Sequence, residues 1–515
     1  MTAASLRPRP PTMEHRGLAV TLALAAAAVA FAVSVATPSP SVAKTLGGAA
    51  ITALVIWSAA SRRYHLTLAA LLLWLGLLDG FVRLKTGDED LTLIRDALLY
   101  AIVIGWLVRT SVQAEPLRLP PLAGWSIAFV AVVLVQLFNP ANESIEHSLA
   151  ALRPHIGWVP LFFLGYLVMR TRRRLRTFLI LLLAITAVNG IVAVYQSGLT
   201  PEEFAAWGPG YDERIHGTGD VSGRVGFGGK DQEQFVRPFA LGSDYGFGGA
   251  VGALAAPAGL ALLALGRRRR VSPLTVVLAA GVVVAVATSQ SRTAVVTAVA
   301  AVAAFLVLTV VWGRLWRPLL GLITVAVLAI TIGPLAASIG GFNRYESIAP
   351  GRALATFVSD RGDSLGKLPG YVTDFPLGAG LGSVGPAARE IPRSERKSLN
   401  AETEFNFLVI ELGIGGLLVL LAFNIRLLAL AVARLRRVVD ADLRLLLAAV
   451  AAPLFAIFVT WVSGITTATS PNAPYLWFAG GTLAYWLGGR DRSANDEALA
   501  DRATPARSYE PAATR

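Results

Sequence analysis

The sequence predicts an all-α polytopic membrane protein of about 14 (12 to 14) transmembrane helices with two long extracytoplasmic loops. Three observations carry that prediction. Of 515 residues, 54% are hydrophobic and only 15% are charged, far from the balance of a soluble domain. Mean hydropathy is +0.59. Apolar runs close to the ~20 residues that a helix needs to cross a bilayer recur from end to end.

Taken in order, the runs predict spans near 17–36, 44–60, 66–83, 93–109, 121–138, 155–169, 176–196, 244–265, 272–288, 293–312, 317–338, 405–424, 442–463 and 473–488. The first is longer than the apolar core of a signal peptide and lacks a clear cleavage site, so it reads as a membrane helix. Residues 1–16 form a cytoplasmic N-terminal segment, 17–490 the membrane domain, and 491–515 a polar, disordered cytoplasmic tail without apolar periodicity.

The net charge of +13 sits where orientation needs it. Arg62 and Arg63, the run Arg170 to Arg176, the run Arg267 to Arg270, Arg314 and Arg317, and Arg434 to Arg437 fall on alternate connections, as an excess of cytoplasmic cations requires. Membrane orientation rather than nucleic-acid binding is therefore the expected use of this charge, with both termini in the cytoplasm and the lipid bilayer as the constant partner. Cysteine is absent and there are five histidines, so neither a thiolate nucleophile nor a metal cluster is expected, and no cofactor is needed.

Two connections exceed the others, 197–243 and 339–404, and both fall on the outer side. Loops of that length in compact proteins are usually functional. The second holds eight basic and eight acidic residues, so it is not where the positive excess resides, and its Arg344, Arg352 and Arg361 match no motif.

Charges near membrane depth are candidates for function. Arg292, after Ser289 and Ser291 in "TSQSRTAVV", opens a span, either as a functional cation or as a snorkelling anchor. Arg224, Lys230 and Arg237 lie among glycines in "RVGFGGKDQEQFVRPFALG". Guanidinium groups grip phosphate oxygens in pairs, so this cluster suits a lipid-linked pyrophosphate; plain headgroup contact is the simpler reading. Glu402 and Glu404 precede the apolar run "FNFLVIELGIGG". One acid there is explained by the helix dipole, and two beside an apolar wall also suit a general base. Glu411 lies inside the span and needs a polar partner. Arg153 and His155 stand at an expected outer helix start, Asn189 and Gln196 at an outer helix end, and Arg95 with Asp96 reads as a local ion pair. The glycines of "PLGAGLGSVG" lack the flanking pattern of a nucleotide loop and read as a turn that allows close backbone approach.

Four stretches in order, "LRPHIGWVPLFFLG" with "AVNGIVAVYQSG", "RPFALGSDYGFGGAV", "TSQSRTAVVTAV", and "DFPLGAGLGSVG" leading to "ETEFNFLVIELGIGG", resemble the O-antigen ligase and polymerase superfamily of bacterial membrane glycosyltransferases. The resemblance implies an inverting, metal-independent transfer of a glycan from an undecaprenyl-pyrophosphate-linked donor to an acceptor hydroxyl at the outer face. It implies that Arg237 and Arg292 hold the pyrophosphate, with Arg224, Arg153, Gln196 and Ser291 nearby, and that Glu402 and Glu404 orient or deprotonate the acceptor. Many ligases carry His-Asn where this chain has Glu402-Thr403, and an acid there is similar to the polymerase-type members. Polymerisation of a surface polysaccharide is therefore expected, with a lipid or protein acceptor left open and a chain-length regulator as a further partner. A flippase or exporter of lipid-linked oligosaccharide is the rival reading. It predicts paired halves and polar residues at midplane, whereas the polar residues here gather at span ends.

Overall fold

The computed structural model describes residues 40–113, 119–142, 144–216, 225–228, 233–266, 272–310, 361–385, 388, 399 and 401–489. The predicted spans 17–36 and 317–338, both terminal segments, and Arg224, Lys230, Arg344 and Arg352 lie outside them. The described chain is helical apart from one hairpin. Eight of its helices are long and apolar enough to cross a membrane, and three shorter apolar helices, 47–60, 123–136 and 273–288, accompany them.

The described residues divide into two compact units, one within 1–71 and 90–116 and the other within 72–89 and 117–515. In the first, α1 (Pro40–Ala60) packs on α3 (Thr92–Val112). Gly105 lets them approach, since a side chain there would strike the carbonyl of Ala59. Arg109 donates to that same carbonyl at 2.9 Å and to the Tyr64 hydroxyl at 2.9 Å. The expected Arg95–Asp96 pair is present at 3.2 Å.

The second unit holds the end of α2 (Tyr64–Thr86) and then α4 (Ala123–Gln136), α5 (Ile145–Ile156), α6 (Pro160–Val168) and α7 (Arg172–Ser197). Two short helices follow, α8 (Pro201–Ala205) and α9 (Pro209–His216), and an antiparallel hairpin of β1 (Val225–Gly228) and β2 (Glu233–Val236). The chain continues through α10 (Phe247–Gly266), α11 (Pro273–Thr288), α12 (Arg292–Val310), α13 (Asp363–Gly366) and α14 (Leu368–Asp374). It ends with α15 (Glu404–Leu435), α16 (Ala441–Val459) and α17 (Asn472–Gly488). The core runs along α10 and α16, whose apolar spans are 83% and 72% buried against 28% for α12. A helix apolar on every side belongs inside the bundle.

The all-α expectation stands, with one short antiparallel hairpin added, Val225 opposite Val236 and Gly228 opposite Glu233. Two expectations change. The first long loop is folded over a small core of Phe204, Tyr211, Ile215, Val236 and Phe239, with Leu84 beneath it. The span predicted at 155–169 begins ten residues earlier, at Ile145. Ser144 caps it, accepting from the amide of His147 at 3.1 Å, and Ile145, Leu149, Leu152 and Ile156 repeat at helical spacing. Arg153 and His155 therefore lie inside α5, not at a helix start.

The helix ends of this unit fall into two groups. At one, Arg172 Nη1 meets Asp440 Oδ2 at 3.0 Å and Trp486 Nε1 donates to the Met169 carbonyl at 2.6 Å. At the other lie every candidate residue at a helix end discussed below. Burial raises the Asp440 carboxyl, but the amide of Leu443, the Arg172 guanidinium and the amide of Asp442 together outweigh it and hold the group below its ordinary value. A carboxylate depressed in the fold stabilises above its unfolded value and loses that contribution as pH falls through its folded one. Asp440→Asn is thus expected to cost about 1 kcal/mol or less at neutral pH and to flatten the acid limb of a melting-temperature profile below about pH 4. An unchanged acid limb would show that the pair contributes nothing.

Candidate functional site

The site builds up from two amides on one helix. Asn189 and Gln196 lie seven residues apart on α7, two turns along one face, and both are fully buried. Gln196 accepts from the amides of Phe239 at 2.9 Å and Ala240 at 2.7 Å, and donates to the carbonyl of Ala240 at 2.8 Å. Asn189 accepts from the amide of Leu241 at 3.0 Å and donates to the carbonyl of Gly76 at 2.8 Å. Gly76 belongs to a five-residue π-helical stretch, Trp74–Leu78, a form that leaves carbonyls without regular helical partners. Buried amides with every polar group satisfied fix backbone in place. Gln196, expected to bind substrate, holds with its amide the segment that follows Arg237, in which Ala240 takes a positive φ of 55°.

That segment carries Arg237 half-buried, with its guanidinium 4.9 Å from the centre of the Tyr245 ring. The chain then turns at Gly246, where φ is +79° and a side chain would press on Ser291. Ser291 is the cap of α12, its hydroxyl accepting from the amide of Ala294 at 3.3 Å, and Arg292 is the first residue of that helix. The connection from α11 is only three residues, and Gln290 takes a positive φ of 50° to make it. The segments bearing Arg237 and Arg292 are thus brought together through Tyr245, Gly246 and Ser291. Arg153 is half-buried on α5, away from any helix start, and Arg224 lies outside the described residues.

The two acids go different ways. Glu404 is fully buried and accepts from the amides of Thr466 at 2.5 Å and Thr467 at 3.0 Å, from the Thr466 hydroxyl at 3.1 Å, and from the Thr467 hydroxyl. Its carboxylate ties the start of α15 to the connection before α17. Glu402 stays more than a third exposed and pairs with Arg361 Nη1 at 2.5 Å. One turn into α15, Asn406 donates to the carbonyl of Ser364 at 2.6 Å, so 361–364 is held against the helix start. Arg361 is a residue for which sequence spacing gives no signal, because 41 positions separate it from Glu402.

Below this lies a second polar knot. His155 Nε2 and Glu411 Oε2 are 2.6 Å apart, both buried, and His155 stacks on Phe407 at 5.1 Å. The expected partner for Glu411 is therefore His155 on α5. The other carboxylate oxygen accepts from the amide of Val384 at 3.3 Å, in the glycine-rich stretch 376–385. That stretch reads as predicted, with positive φ at Gly378, Gly380, Gly382 and Gly385 and backbone in close approach to α15. At Gly413 the helix is broken, with φ 68° and ψ −174°. Ala379 donates to the freed carbonyl of Ile410 at 2.6 Å, and Ile414 donates to that of Pro376 at 3.0 Å. Gln136, Asn139, Asn142 and His147 complete the seat through bonds to the backbone of Leu377, Gly378, Leu381 and Gly382.

Among the described residues no group of three or more His, Asp or Glu is placed to hold a metal ion. Comparison with family models, with curated proteins and with solved structures finds no match.

Proposed function

We propose that the chain is an inverting membrane glycosyltransferase that polymerises or ligates a surface polysaccharide. It takes a glycan from an undecaprenyl-pyrophosphate-linked donor at the outer face of the cytoplasmic membrane. The observation that carries this reading is the meeting of the Arg237 and Arg292 segments at one end of the bundle, fixed by Asn189, Gln196 and the Gly246–Ser291 contact. Two permanently charged groups on rigid supports suit a pyrophosphate leaving group, whose charge grows as the bond breaks. The resemblance supplies the donor and the acceptor class.

In this reaction the acceptor oxygen attacks the anomeric carbon, the bond from that carbon to the phosphate oxygen breaks, and lipid pyrophosphate departs. The acceptor proton goes to a base. Glu402 suits that role, because it remains open to water and Arg361 orients it. Glu404, expected beside it, has both oxygens engaged by Thr466 and Thr467. On this reading the arginine-rich end around Arg172 faces the cytoplasm, and a chain-length regulator is a further partner.

Purified protein in liposomes with a lipid-linked repeat unit is expected to form longer glycan and free lipid pyrophosphate without ATP. Arg237→Ala and Arg292→Ala should each slow product formation by roughly 100-fold, the scale for losing one donor to transition-state charge, without lowering the melting temperature by more than a few degrees. Movement of intact donor between leaflets with no new glycosidic bond would instead establish an exporter.

A further inference from the structure

The opposite end of the second unit carries a surface that the proposed reaction does not use. Two turns distant in sequence, 169–176 and 434–442, are joined by the Arg172–Asp440 pair. Between them they hold eight arginines, at 170, 172, 173, 174, 176, 434, 436 and 437, against two acids, Asp440 and Asp442. Asp440 is already occupied by Arg172. Arg174 donates to the carbonyl of Val168 at 3.0 Å, which holds its turn closed. Arg170, Arg173, Arg176, Arg436 and Arg437 are exposed.

Arg170 is more than a solvated charge. Its guanidinium lies 5.8 Å from the Tyr166 ring centre and 5.5 Å from that of Tyr485, and the two rings meet edge to face at 5.5 Å. Its Nε also donates to the Tyr166 carbonyl at 3.4 Å. The group is therefore held against a two-ring wall formed by α6 and α17. Tyrosines at the ends of membrane-crossing helices mark headgroup depth, and a guanidinium fixed there has its donor edge available for phosphodiester oxygens.

We propose that this arginine-rich end binds the headgroups of anionic diacyl phospholipids, with Arg170 on its tyrosine wall as the anchor and Arg173, Arg436 and Arg437 as neighbouring contacts. Charge complementarity and depth both select this occupant. The helices that end here, α6, α7 and α15, are apolar up to the turns, so phosphates arriving at this level belong to lipids. The inference stands on the patch alone, independently of the reaction at the other end.

The test is native mass spectrometry of the full chain released from micelles containing equal amounts of phosphatidylglycerol and phosphatidylcholine. Phosphatidylglycerol should be retained preferentially, and Arg170→Ala with Arg173→Ala should reduce that retention roughly fivefold per arginine removed. Arg170→Lys should fall between, keeping the charge and losing the paired donors. If the double variant melts below the wild type, Arg436→Ala with Arg437→Ala provides the same reading from the other turn. Equal retention of the two lipids, retention undiminished in the folded variants, or displacement by inorganic phosphate at the lipid's own concentration would each overturn the proposal.

Discussion

Gly413→Ala is expected to destabilise the protein by about 4 kcal/mol, combining a backbone conformation open almost only to glycine with a collision against a packed loop. The collision is specific. A side chain at 413 would stand 2.6 Å from the carbonyl oxygen of Pro376 and 2.7 Å from the carbonyl carbon of Leu377. Relief through a return to helical dihedrals is blocked, because the loop amide of Ala379 already bonds the Ile410 carbonyl, and Pro376 already receives Ile414. The lost stability should appear as a lower melting temperature in detergent, together with faster protease cutting within 376–385. Gly415→Ala, two residues on where a side chain meets open space, is the control and should be close to neutral. A Gly413→Ala protein that melts with the wild type would show that the loop and the helix break are not coupled.

Glu404→Ala is expected to cost about 3 kcal/mol, since it removes the acceptor from four buried donors, three on Oε2 and one on Oε1. The Thr466 and Thr467 hydroxyls can turn elsewhere. Their amides cannot. Glu402→Gln provides the contrast, since its pair with Arg361 is partly exposed and should contribute about 1 kcal/mol or less. Under the proposed reaction the two variants separate cleanly: position 404 governs melting temperature, and position 402 governs turnover in a protein that melts normally. Equal melting losses at both positions would remove that division, and normal turnover in Glu402→Gln would remove the base.

Much of the candidate site could be seen in the residues before any fold was known. Arg237, Arg292, Glu402 and Glu404 are polar groups at the ends of apolar runs, and hydrocarbon penalises such groups enough to make them conspicuous. The glycines of 376–385 announced close approach of backbone, because no other residue takes positive φ so freely. Glu411 announced a missing partner. Harder to see was the start of α5, since a helix entering a membrane can begin with a polar, amphipathic turn that a search for apolar residues passes over. Harder still were the partners themselves. His155 and Glu411 are 256 residues apart, and Gln136 and Leu377 are 241 apart.

The sequence alone determined that this is a helical membrane protein, roughly where its helices run, and which few polar residues had to be accounted for. Those follow from the cost of placing unpaired backbone or charge in hydrocarbon, a local quantity that each stretch reveals by composition. Tertiary structure decided which acid is structural and which stays open, that Gln196 fixes backbone, and that Arg361 belongs with Glu402. A carboxylate at a helix start satisfies the helix dipole in either case; only the threonines or arginine that the fold brings beside it distinguish a buried strut from a carboxylate open to water.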